Sequence, residues 1–518
     1  MRTRTRRRYA IAGVALSCVS VVAACSPDRE QQAVPTAPPV TAPSPTQAAA
    51  APGTTTAGRD PSATENAGTA PATSSDGTAV ATTEAAVTTA AAAAGPMFGD
   101  LPWPCGPAET PNTDDGSEPG VSAEEILIGY GDDAGFAVVP GLNHEASDAI
   151  KAMIAACNEL GGINGRIITG NYYDAKLTEP NAATLRACSD EVFFLVGTAW
   201  AFDEQQEEIR QGCGLPAVPT YSVSGAFSHA PLMYQGLPNP ADEYSVTALE
   251  LMAQQFPEEV QSASVLAINI GATIITRDKV LAVADAAGWN FLSTDIMTNP
   301  MGESDYTPFS NQLQQGGAEL VYFFGQCEPM LRLFMQTASV NGYEPIVFSA
   351  PNMYEPRCAE QNTDGTMDNL YFNLDIVPMF EAEHNPATQA YLDVMETHGG
   401  DQAALGIQAT STFLLWATAA DVCGAALTRQ CVLDNMAEVH EWTAGGLHSP
   451  SDPGGNHGST CTALFKVSGT GYERVFPLEP ATYDCGEDGD AQREPVDLPA
   501  VDALLLDENR VSHLYSDE

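Results

Sequence analysis

The chain has 518 residues and a formal net charge of −46 at pH 7, because 67 acidic side chains stand against 21 basic ones. So large an excess of acid disfavours nucleic acids and anionic lipid surfaces as partners, since both would be repelled. The stretch from about 120 to 485 is longer than one hydrophobic core usually serves, so two lobes are predicted.

The N-terminus has the pattern of an export signal. Its first eight residues include five arginines, and an uncharged, mostly apolar run follows as far as Ala24. The run is too short to span a bilayer comfortably, so residues 1–24 are predicted to be a signal peptide. Val22-Ala23-Ala24-Cys25 resembles a bacterial lipobox, which implies a lipid on Cys25 and a protein anchored on the outer face of the cell membrane. An ordinary secretory signal is the alternative, and the general secretory and twin-arginine routes both stay open.

Residues 25–97 are nearly all Ala, Thr, Pro, Ser and Gly. They carry too few large apolar side chains to offset the entropy of ordering the chain. This stretch is therefore predicted to be a disordered tether between the anchor and the folded part. Residues 486–518 are predicted to be an acidic C-terminal tail.

From residue 125 the chain alternates short apolar runs with helical patterns. "EILIGYG" is predicted to be a strand, residues 142–160 a helix stopped by "GGING", and "RIITGNYYD" the next strand. "EVFFLVGTA", "SASVLAINIG", "AELVYFFGQ" and "EPIVFSA" continue the alternation, with helices near 275–288, 306–316 and 329–341. Apolar strands that alternate with helices predict an α/β fold whose parallel sheets are covered on both faces. Ligands of such folds bind beyond the carboxyl ends of the strands, which singles out the loops after 131, 197, 221, 270, 325 and 349.

Ten cysteines remain when Cys18 in the signal and Cys25 are set aside. An even number in an exported chain indicates disulfides, although sequence alone cannot choose among roughly 945 pairings. No C-x-x-C occurs, which disfavours a structural zinc or a thioredoxin-like site. Neighbours along the chain are expected to pair: Cys105 with Cys157, Cys188 with Cys213, Cys327 with Cys358, Cys423 with Cys431 and Cys461 with Cys485.

Motifs for common catalytic chemistry are missing from the sequence. It has no G-x-S-x-G, no H-E-x-x-H and no phosphate loop ending in Gly-Lys. His448, Asp452, His457 and Cys461 are scattered through a Gly-, Pro- and Ser-rich segment, which favours a loop over a metal site. No catalytic residue, metal or cofactor is predicted, although catalytic groups can lie far apart in a sequence.

Asp132 and Asp133 are adjacent acids that directly follow a predicted strand, and they suggest a possible pair of catalytic carboxylates. Adjacent acids in such a position are usually solvated, so a solvated loop is predicted here.

"NELGGINGR", residues 158–166, resembles the segment after the first helix of type I periplasmic binding proteins, especially the branched-chain amino-acid-binding group of ABC transporters. "NYYDAKLTEPNAATLRAC", "FFLVGTAWA", "DYTPFSNQLQQGGAELVYFFGQ", "NPATQAYLDVM" and "GGLHSPSDPGGNH" are similar to later segments of that family, in the same order. The resemblance covers about 122 to 480. It implies two Rossmann-like lobes with parallel sheets, joined by a hinge of three strands, and a family disulfide at Cys188–Cys213. The implied lobes are residues 98–237 with 379–445, and residues 238–378 with 446–485.

The function that the resemblance implies is that of an extracellular solute-binding lipoprotein. It would capture a small polar or amino-acid-like ligand between the lobes and deliver it to an ABC import permease. A monomer without a nucleic-acid partner or a cofactor is expected. The alternatives are a receptor of the same fold that signals to a membrane partner, and a secreted hydrolase.

Family ligand contacts can be transferred to the loops that match. Each has a simpler explanation: Ser222 and Ser224 would cap a turn, Trp200 would be core packing, and Glu328 would start a helix. Tyr221 is expected on the sheet side and is left out. The resemblance implies ligand contacts at Thr198, Ala199, Trp200, Ser222, Ser224, Thr273, Gln326, Glu328, Asn352 and Tyr354.

The sequence departs from the amino-acid binders of this family at two places. They carry an acidic side chain in the loop after the strand "IVFSA", where this chain has Pro351 and Asn352, with Glu355 just beyond. Leu142 stands in the first loop, where an aromatic ring is common. A simple branched-chain amino acid is therefore in doubt, and amides, urea-like molecules and small carboxylates stay open.

Overall fold

The computed structural model describes residues 95–112, 118–486 and 493–496. The predicted signal peptide, Cys25 and all but the last three residues of the predicted tether lie outside the described residues. Of the predicted acidic tail, residue 486 and residues 493–496 are described.

The strands alternate with helices along most of the chain. The strands are β1 (Met97–Phe98), β2 (Leu101–Pro102), β3 (Glu125–Gly131), β4 (Ile167–Tyr172), β5 (Leu195–Thr198), β6 (Ala217–Val218), β7 (Glu243–Ser245), β8 (Ala263–Ile268), β9 (Phe291–Thr298), β10 (Leu320–Phe324), β11 (Ile346–Ser349), β12 (Leu370–Leu374), β13 (Ala463–Ser468), β14 (Gly471–Phe476) and β15 (Arg493–Pro495). The helices are α1 (His144–Leu160), α2 (Pro180–Ser189), α3 (Glu207–Gly212), α4 (Gly225–Ser228), α5 (Thr247–Gln255), α6 (Gly271–Val283), α7 (Thr307–Gly316), α8 (Arg332–Val340), α9 (Pro356–Glu360), α10 (Pro386–His398), α11 (Ala404–Cys423) and α12 (Arg429–Ala437).

The first lobe is built on a four-stranded sheet in the order β4-β3-β5-β6. All its neighbouring strands are parallel, with Ile126 opposite Ile168 and Leu195 opposite Ala217. Every residue of β5 is buried, as expected for a strand covered on both faces. The predicted parallel α/β fold is confirmed here.

The second lobe is built on a seven-stranded sheet in the order β14-β13-β12-β11-β10-β8-β9. The five strands from β12 to β9 are parallel, and β13 and β14 add an antiparallel hairpin at one edge. The hairpin turns at residues 469–470, between Ser468 of β13 and Gly471 of β14.

Helix α1 shows how local sequence sets a boundary. The predicted helix over 142–160 begins two residues later, at His144, and ends at Leu160 as expected. Gly161 stops it with a φ of 115°. A Cβ at this position would lie 3.0 Å from the backbone nitrogen of Pro107, so the close approach of the N-terminal segment also requires glycine.

Helix α11 is buried on nearly every side, with Phe413 and Trp416 fully enclosed. It packs on α1, α12 and β5 in the core of the first lobe. Among the described residues, no helix combines the length and the apolar character needed to cross a bilayer.

Three chain segments pass between the lobes and contact one another. The first contains Gly236, the second Asp375, and the third Ser449 and Ser451. The third segment bonds to the first, where Ser451 Oγ donates to the carbonyl of Gly236 at 2.8 Å. It also bonds to the second, where the backbone nitrogen of Ser449 donates to the carbonyl of Asp375 at 2.8 Å. The two lobes and their three-stranded hinge agree with the expected architecture, while the residue boundaries of the lobes stay a prediction.

A buried chain of polar groups lies in this hinge. Trp442 Nε1 donates to Ser411 Oγ at 3.0 Å, and Ser411 Oγ lies 2.8 Å from His448 Nε2. His448 Nδ1 lies 2.7 Å from the carbonyl of Ser449, which can only accept, so Nδ1 carries the proton. Burial lowers the pKa of His448 to about 4.

All five predicted disulfides are confirmed. Each sulfur pair is at bonding distance: Cys105–Cys157, Cys188–Cys213, Cys327–Cys358, Cys423–Cys431 and Cys461–Cys485. Cysteines that are neighbours in the sequence are therefore bonded throughout the described part of the chain.

Candidate functional site

The strand ends of the two lobes face each other across a cleft. Helix α1 starts beyond the carboxyl end of β3 in the first lobe, and α9 starts beyond that of β11 in the second. Their first turns meet: Arg357 Nη2 lies 3.8 Å from Glu145 Oε1. Carboxyl ends of parallel strands are where α/β folds bind ligands, so this cleft is the candidate site.

Asp132 and Asp133 are buried at the end of β3, with exposed fractions of 1% and 0%. The prediction of a solvated loop is wrong, because partners distant in sequence cover both side chains. Asp133 accepts hydrogen bonds from the backbone nitrogens of Leu177 at 2.7 Å and Ala201 at 2.8 Å. Asp132 accepts from the hydroxyl of Tyr172 at 2.5 Å. Burial raises the pKa of Asp133 to about 6, against the effect of its two backbone hydrogen bonds.

A third buried aspartate, Asp203, holds the loop after β6. It accepts from the backbone nitrogens of Val223 at 2.7 Å and Ser224 at 3.1 Å. Burial raises the pKa of Asp203 to about 7. The sequence gives little warning of this role, since Asp203 begins a short 3-10 helix rich in polar residues.

Asn143 and Tyr221 connect the loops that follow β3, β5 and β6. Asn143 Nδ2 donates to the hydroxyl of Tyr221 at 2.8 Å and to the carbonyl of Ala199 at 3.1 Å. Tyr221 was expected on the sheet side, yet its partly buried ring reaches the loop before α1. Burial raises the pKa of Tyr221 well above its ordinary value, and the nearby charges of Asp133, Asp203 and Asp132 raise it further.

Thr198, Ala199 and Trp200 lie together at the carboxyl end of β5, and all three are buried. The hydroxyl of Thr198 has no hydrogen-bond partner among the described residues. Trp200 is 2% exposed, and its Nε1 donates to the carbonyl of Tyr173 at 3.3 Å, so its side chain is part of the first lobe's packing.

The two serines after β6 have partners within the protein. Ser222 Oγ donates to Gln235 Oε1 at 2.8 Å in the first hinge segment. Ser224 caps α4, where its Oγ accepts from the backbone nitrogen of Phe227 at 3.1 Å. The capping explanation therefore describes the side chain of Ser224.

Of the second-lobe residues expected to contact the ligand, some are exposed at the strand ends and others are held within the lobe. Gln326 and Asn352 are exposed, and Asn352 Nδ2 donates to the carbonyl of Gly325 at 2.9 Å, which ties the loops after β10 and β11 together. Thr273 donates back to the carbonyls of Ile268 and Ile270, so it closes the turn before α6. 

Tyr354 is 4% exposed, and its hydroxyl accepts from the backbone nitrogen of Met379 at 2.8 Å. Its ring packs edge-on against Tyr472, with ring centroids 4.9 Å apart. The side chain thus belongs to the core of the second lobe.

Two acids at the cleft side of the second lobe each have an arginine partner. Glu328 Oε1 lies 2.6 Å from Arg332 Nε, and Glu355 Oε2 lies 3.0 Å from Arg357 Nη2. Burial raises the pKa of Glu355, although Arg357 opposes this shift. The acid that follows "IVFSA" in this chain is therefore charge-paired within its own lobe.

A polar link runs from the first lobe's site loop into the second lobe. Asn239 Nδ2 donates to the carbonyl of Ser222 at 2.8 Å, and Lys279 Nζ on α6 donates to Asn239 Oδ1 at 2.9 Å. Burial lowers the pKa of Lys279 to about 8. These two hydrogen bonds connect α6 to the loop that carries Ser222.

The segment 446–461 contains four residues of types that can bind a metal ion, and all four side chains have other partners. His448 is buried in the hinge, His457 Nδ1 lies 2.8 Å from Glu243 Oε2, and Cys461 is in a disulfide. Asp452 lies 2.6 Å from His440 Nδ1. Within the described part of the chain, no group of three or more His, Cys, Asp or Glu side chains is placed to hold a metal ion.

Two surface cavities lie outside the loops that carry the expected ligand contacts. One, of about 250 Å³, is lined by α8 residues and by Asp364 in the second lobe. The other, of about 460 Å³, lies along the end of β4 and includes Tyr172 and Arg186. Neither contains a residue that the resemblance placed in the ligand site.

The fold and the cleft define a two-lobed, hinge-linked α/β protein with opposed strand ends. The family model described as periplasmic binding protein matches residues 140–472, and the chain belongs to this family. Proteins of this family are exported, and they bind solutes rather than transform them. The resemblance to the type I, branched-chain amino-acid-binding group is confirmed at the level of family and fold. No curated protein sequence matches the chain.

Solved structures share the fold at low sequence identity. One is the branched-chain amino-acid transporter substrate-binding protein LivJ from Streptococcus pneumoniae in complex with isoleucine, with 14% identity, a TM-score of 0.55, and coverage of 68% of this chain and 99% of that one. A solute-binding protein from R. palustris in complex with 4-hydroxybenzoate has 13% identity, a TM-score of 0.54, and coverage of 70% and 95%. An ABC transporter substrate-binding protein from Aeropyrum pernix has 12% identity, a TM-score of 0.57, and coverage of 74% and 100%.

Proposed function

We propose that this protein captures a small polar ligand between its lobes and delivers it to an ABC import permease at the outer face of the cell membrane. The observation that carries the proposal is the opposition of the strand ends of two lobes around a three-segment hinge, with Glu145 and Arg357 in reach of each other. Family membership supports the same function.

The ligand is held by groups from both lobes. On the first lobe we assign contacts to the backbone at Thr198 and Ala199 and to the side chains of Asn143 and Tyr221. On the second lobe we assign them to the exposed Gln326 and Asn352 and to Glu328. The remaining expected contacts, Trp200, Ser222, Ser224, Thr273 and Tyr354, support the loops rather than reach the ligand through their side chains. Closure removes water from the ligand, and these polar groups replace it.

Cys25 is the proposed point of attachment to the membrane. The basic N-terminus and the lipobox-like Val22-Ala23-Ala24-Cys25 support a lipidated, exported protein. The Ala-, Thr- and Pro-rich tether, up to residue 97, would then separate the lipid from the folded lobes. A released ligand would stay near its permease because its carrier does not diffuse away.

Thermal melting against a compound library tests the binding step. A ligand present at 100 times its dissociation constant adds about 2.7 kcal/mol of stability, which raises the melting temperature by several degrees. Amino acids, amides, polyamines, sugars and small acids form the library, and mass spectrometry of denatured protein checks for a ligand that co-purified. A hit that the protein converts into product would contradict the proposal.

Uptake by cells tests the delivery step. Cells that lack the protein should accumulate a labelled hit more slowly, and the full chain should restore uptake. A Cys25→Ser variant, which cannot be lipidated, serves as the matched control for anchoring. Full uptake of every hit by cells without the protein would argue against delivery to a permease.

A further inference from the structure

We propose that the ligand of this cleft is an organic cation without a free carboxylate, such as an amine or a guanidinium compound. This inference rests on the proposed function and names its ligand class. It concerns the first lobe, where the strand-end loops and three buried aspartates lie together.

The backbone N–H groups at these strand ends already hold carboxylates of the chain itself. Successive N–H groups in a loop form an anion-binding concavity, which is how a protein holds a ligand carboxylate without a basic side chain. Here the successive N–H groups of Val223 and Ser224 both donate to Asp203. The N–H of Ala201 donates to Asp133 at 2.8 Å. A ligand carboxylate would have to displace an aspartate to use any of these three donors.

The charge that the aspartates place at the strand ends also opposes an anion. Asp132, Asp133 and Asp203 are at most 1% exposed, so water screens their charges poorly, and Asp203, with its pKa raised to about 7 by burial, carries about half a charge at neutral pH. Asn143 Nδ2 donates to the hydroxyl of Tyr221 at 2.8 Å, and the nearby charges of Asp133, Asp203 and Asp132 raise the pKa of Tyr221 beyond the effect of burial. An approaching cation is attracted here, and an approaching carboxylate is repelled.

Two arginines of the second lobe, on α8 and at the first turn of α9, are already paired with acids. Arg332 is paired with Glu328 at 2.6 Å, and Arg357 is paired with Glu355 at 3.0 Å. Arg357 also lies near Glu145 of the first lobe. The arginines of α8 and α9 that border the cleft are therefore already neutralised.

Two buried hydroxyls at the same strand ends supply independent evidence for a polar ligand. Thr198 and Thr220 are 1% and 2% exposed, and neither hydroxyl has a hydrogen-bond partner among the described residues. The N–H of Thr220 donates to the carbonyl of Thr198 at 2.9 Å, so the two lie on neighbouring strand ends. Buried hydroxyls nearly always have a partner, and a hydroxyl oxygen can accept from an ammonium or guanidinium N–H.

Calorimetric titration of the full chain with matched pairs of compounds tests the proposal. The pairs are agmatine and arginine, putrescine and ornithine, and tyramine and tyrosine, whose members differ by one carboxylate. At least one amine should bind ten-fold or more tightly than its amino acid. An amino acid that binds as tightly as its amine, or a carboxylate as the sole class of hit, overturns the cation proposal but leaves solute binding intact. Absence of binding by every compound of these pairs and of the library overturns both.

Variants locate the amine site once an amine binds. Thr198→Val keeps the shape of the side chain and removes its hydroxyl, so it should weaken the amine several-fold without lowering the melting temperature of the ligand-free protein. Asp133→Asn removes one charge and should weaken the amine ten-fold or more. Asp434→Asn makes the same change on the exposed face of α12 and is the matched control. Equal effects of the two Asp variants, or an unchanged affinity of Thr198→Val, would place the amine elsewhere and overturn the assignment.

Discussion

Arg357 of the second lobe and Glu145 of the first lobe face each other across the cleft, with Nη2 and Oε1 3.8 Å apart. Glu145 is nearly buried in the first turn of α1, whereas the Arg357 side chain is about half exposed and also contacts Glu355. The pair joins the helices that begin at β3 and β11, so its separation reports on the opening of the lobes.

Loss of this pair should favour the open form. A partly exposed ion pair contributes about 0.2–1 kcal/mol, so Arg357→Gln should weaken ligand binding by up to about five-fold. Titration calorimetry measures the affinity, and small-angle scattering with ligand measures the spread of the lobes. Lys151→Gln breaks the Lys151–Asp148 pair within α1 and is the matched control. An Arg357→Gln protein with the same affinity and compactness as its parent would show that the pair does not govern closure.

Trp200 should prove more important for stability than for ligand contact. Its ring is 2% exposed and packs in the first lobe, so Trp200→Ala should lower the free energy of unfolding by about 3–5 kcal/mol. Trp200→Phe, which keeps most of the buried ring, should lose much less. Urea denaturation measures both. If Trp200→Ala kept its stability and lost only affinity, the ring would belong to the ligand site.

Asp203 should destabilise the ligand-free protein at neutral pH. Burial raises its pKa to about 7 from an ordinary value of 3.8, so the folded state binds the proton more tightly than the unfolded state does. Its contribution to stability is complete below pH 4 and is lost as the pH rises towards 7, by about 4 kcal/mol in all. The stability of Asp203→Asn relative to its parent should therefore increase across this range. Denaturation from pH 4 to 8 measures the difference, with Asp434→Asn as control, and a pH-independent difference would contradict the assignment.

His448 should produce the opposite slope. Burial lowers its pKa to about 4 from 6.5, so the unfolded state binds the proton more tightly. Stability due to neutral His448 is complete above pH 6.5 and falls by about 3 kcal/mol as the pH decreases towards 4. His448→Gln should remove this loss, whereas replacement of the exposed His384 by Gln should not. If the stability of His448→Gln and that of its parent changed with pH in parallel, His448 would be protonated in the hinge as readily as in the unfolded chain.

Local sequence patterns predicted the helices and strands, whereas the candidate site depends on contacts between residues that are distant in sequence. The apolar runs and Gly161 placed α1 within two residues, because strand burial and glycine stops act over short distances. Asp133 was misjudged because its partners, Leu177 and Ala201, lie 44 and 68 residues away. No local pattern encodes such contacts, and adjacent acids are solvated in most loops. The same holds for Arg357 and Glu145, which only the folded arrangement of the lobes brings together.

Residues with several possible roles show most clearly how far sequence alone can predict a side chain's contacts. Ser224 fitted both a ligand contact and a helix cap by sequence, and the structure shows the cap at 3.1 Å. Tyr221 was expected on the sheet side because its position continues a strand pattern, yet β6 ends at Val218 and Tyr221 belongs to the following loop. A strand that ends three residues early reverses the prediction for the side chain.

The order of the disulfides bears on how the protein matures. Each lobe is assembled from two separate stretches of chain, so neither is complete until most of the protein has crossed the membrane. Yet every bonded cysteine pairs with its neighbour in sequence, from Cys105–Cys157 to Cys461–Cys485. A chain that emerges from its N-terminus presents these thiols in the order in which they are joined. With Cys25 committed to lipid, as proposed, an oxidase that links each new thiol to the preceding free one yields the native set with no isomerisation.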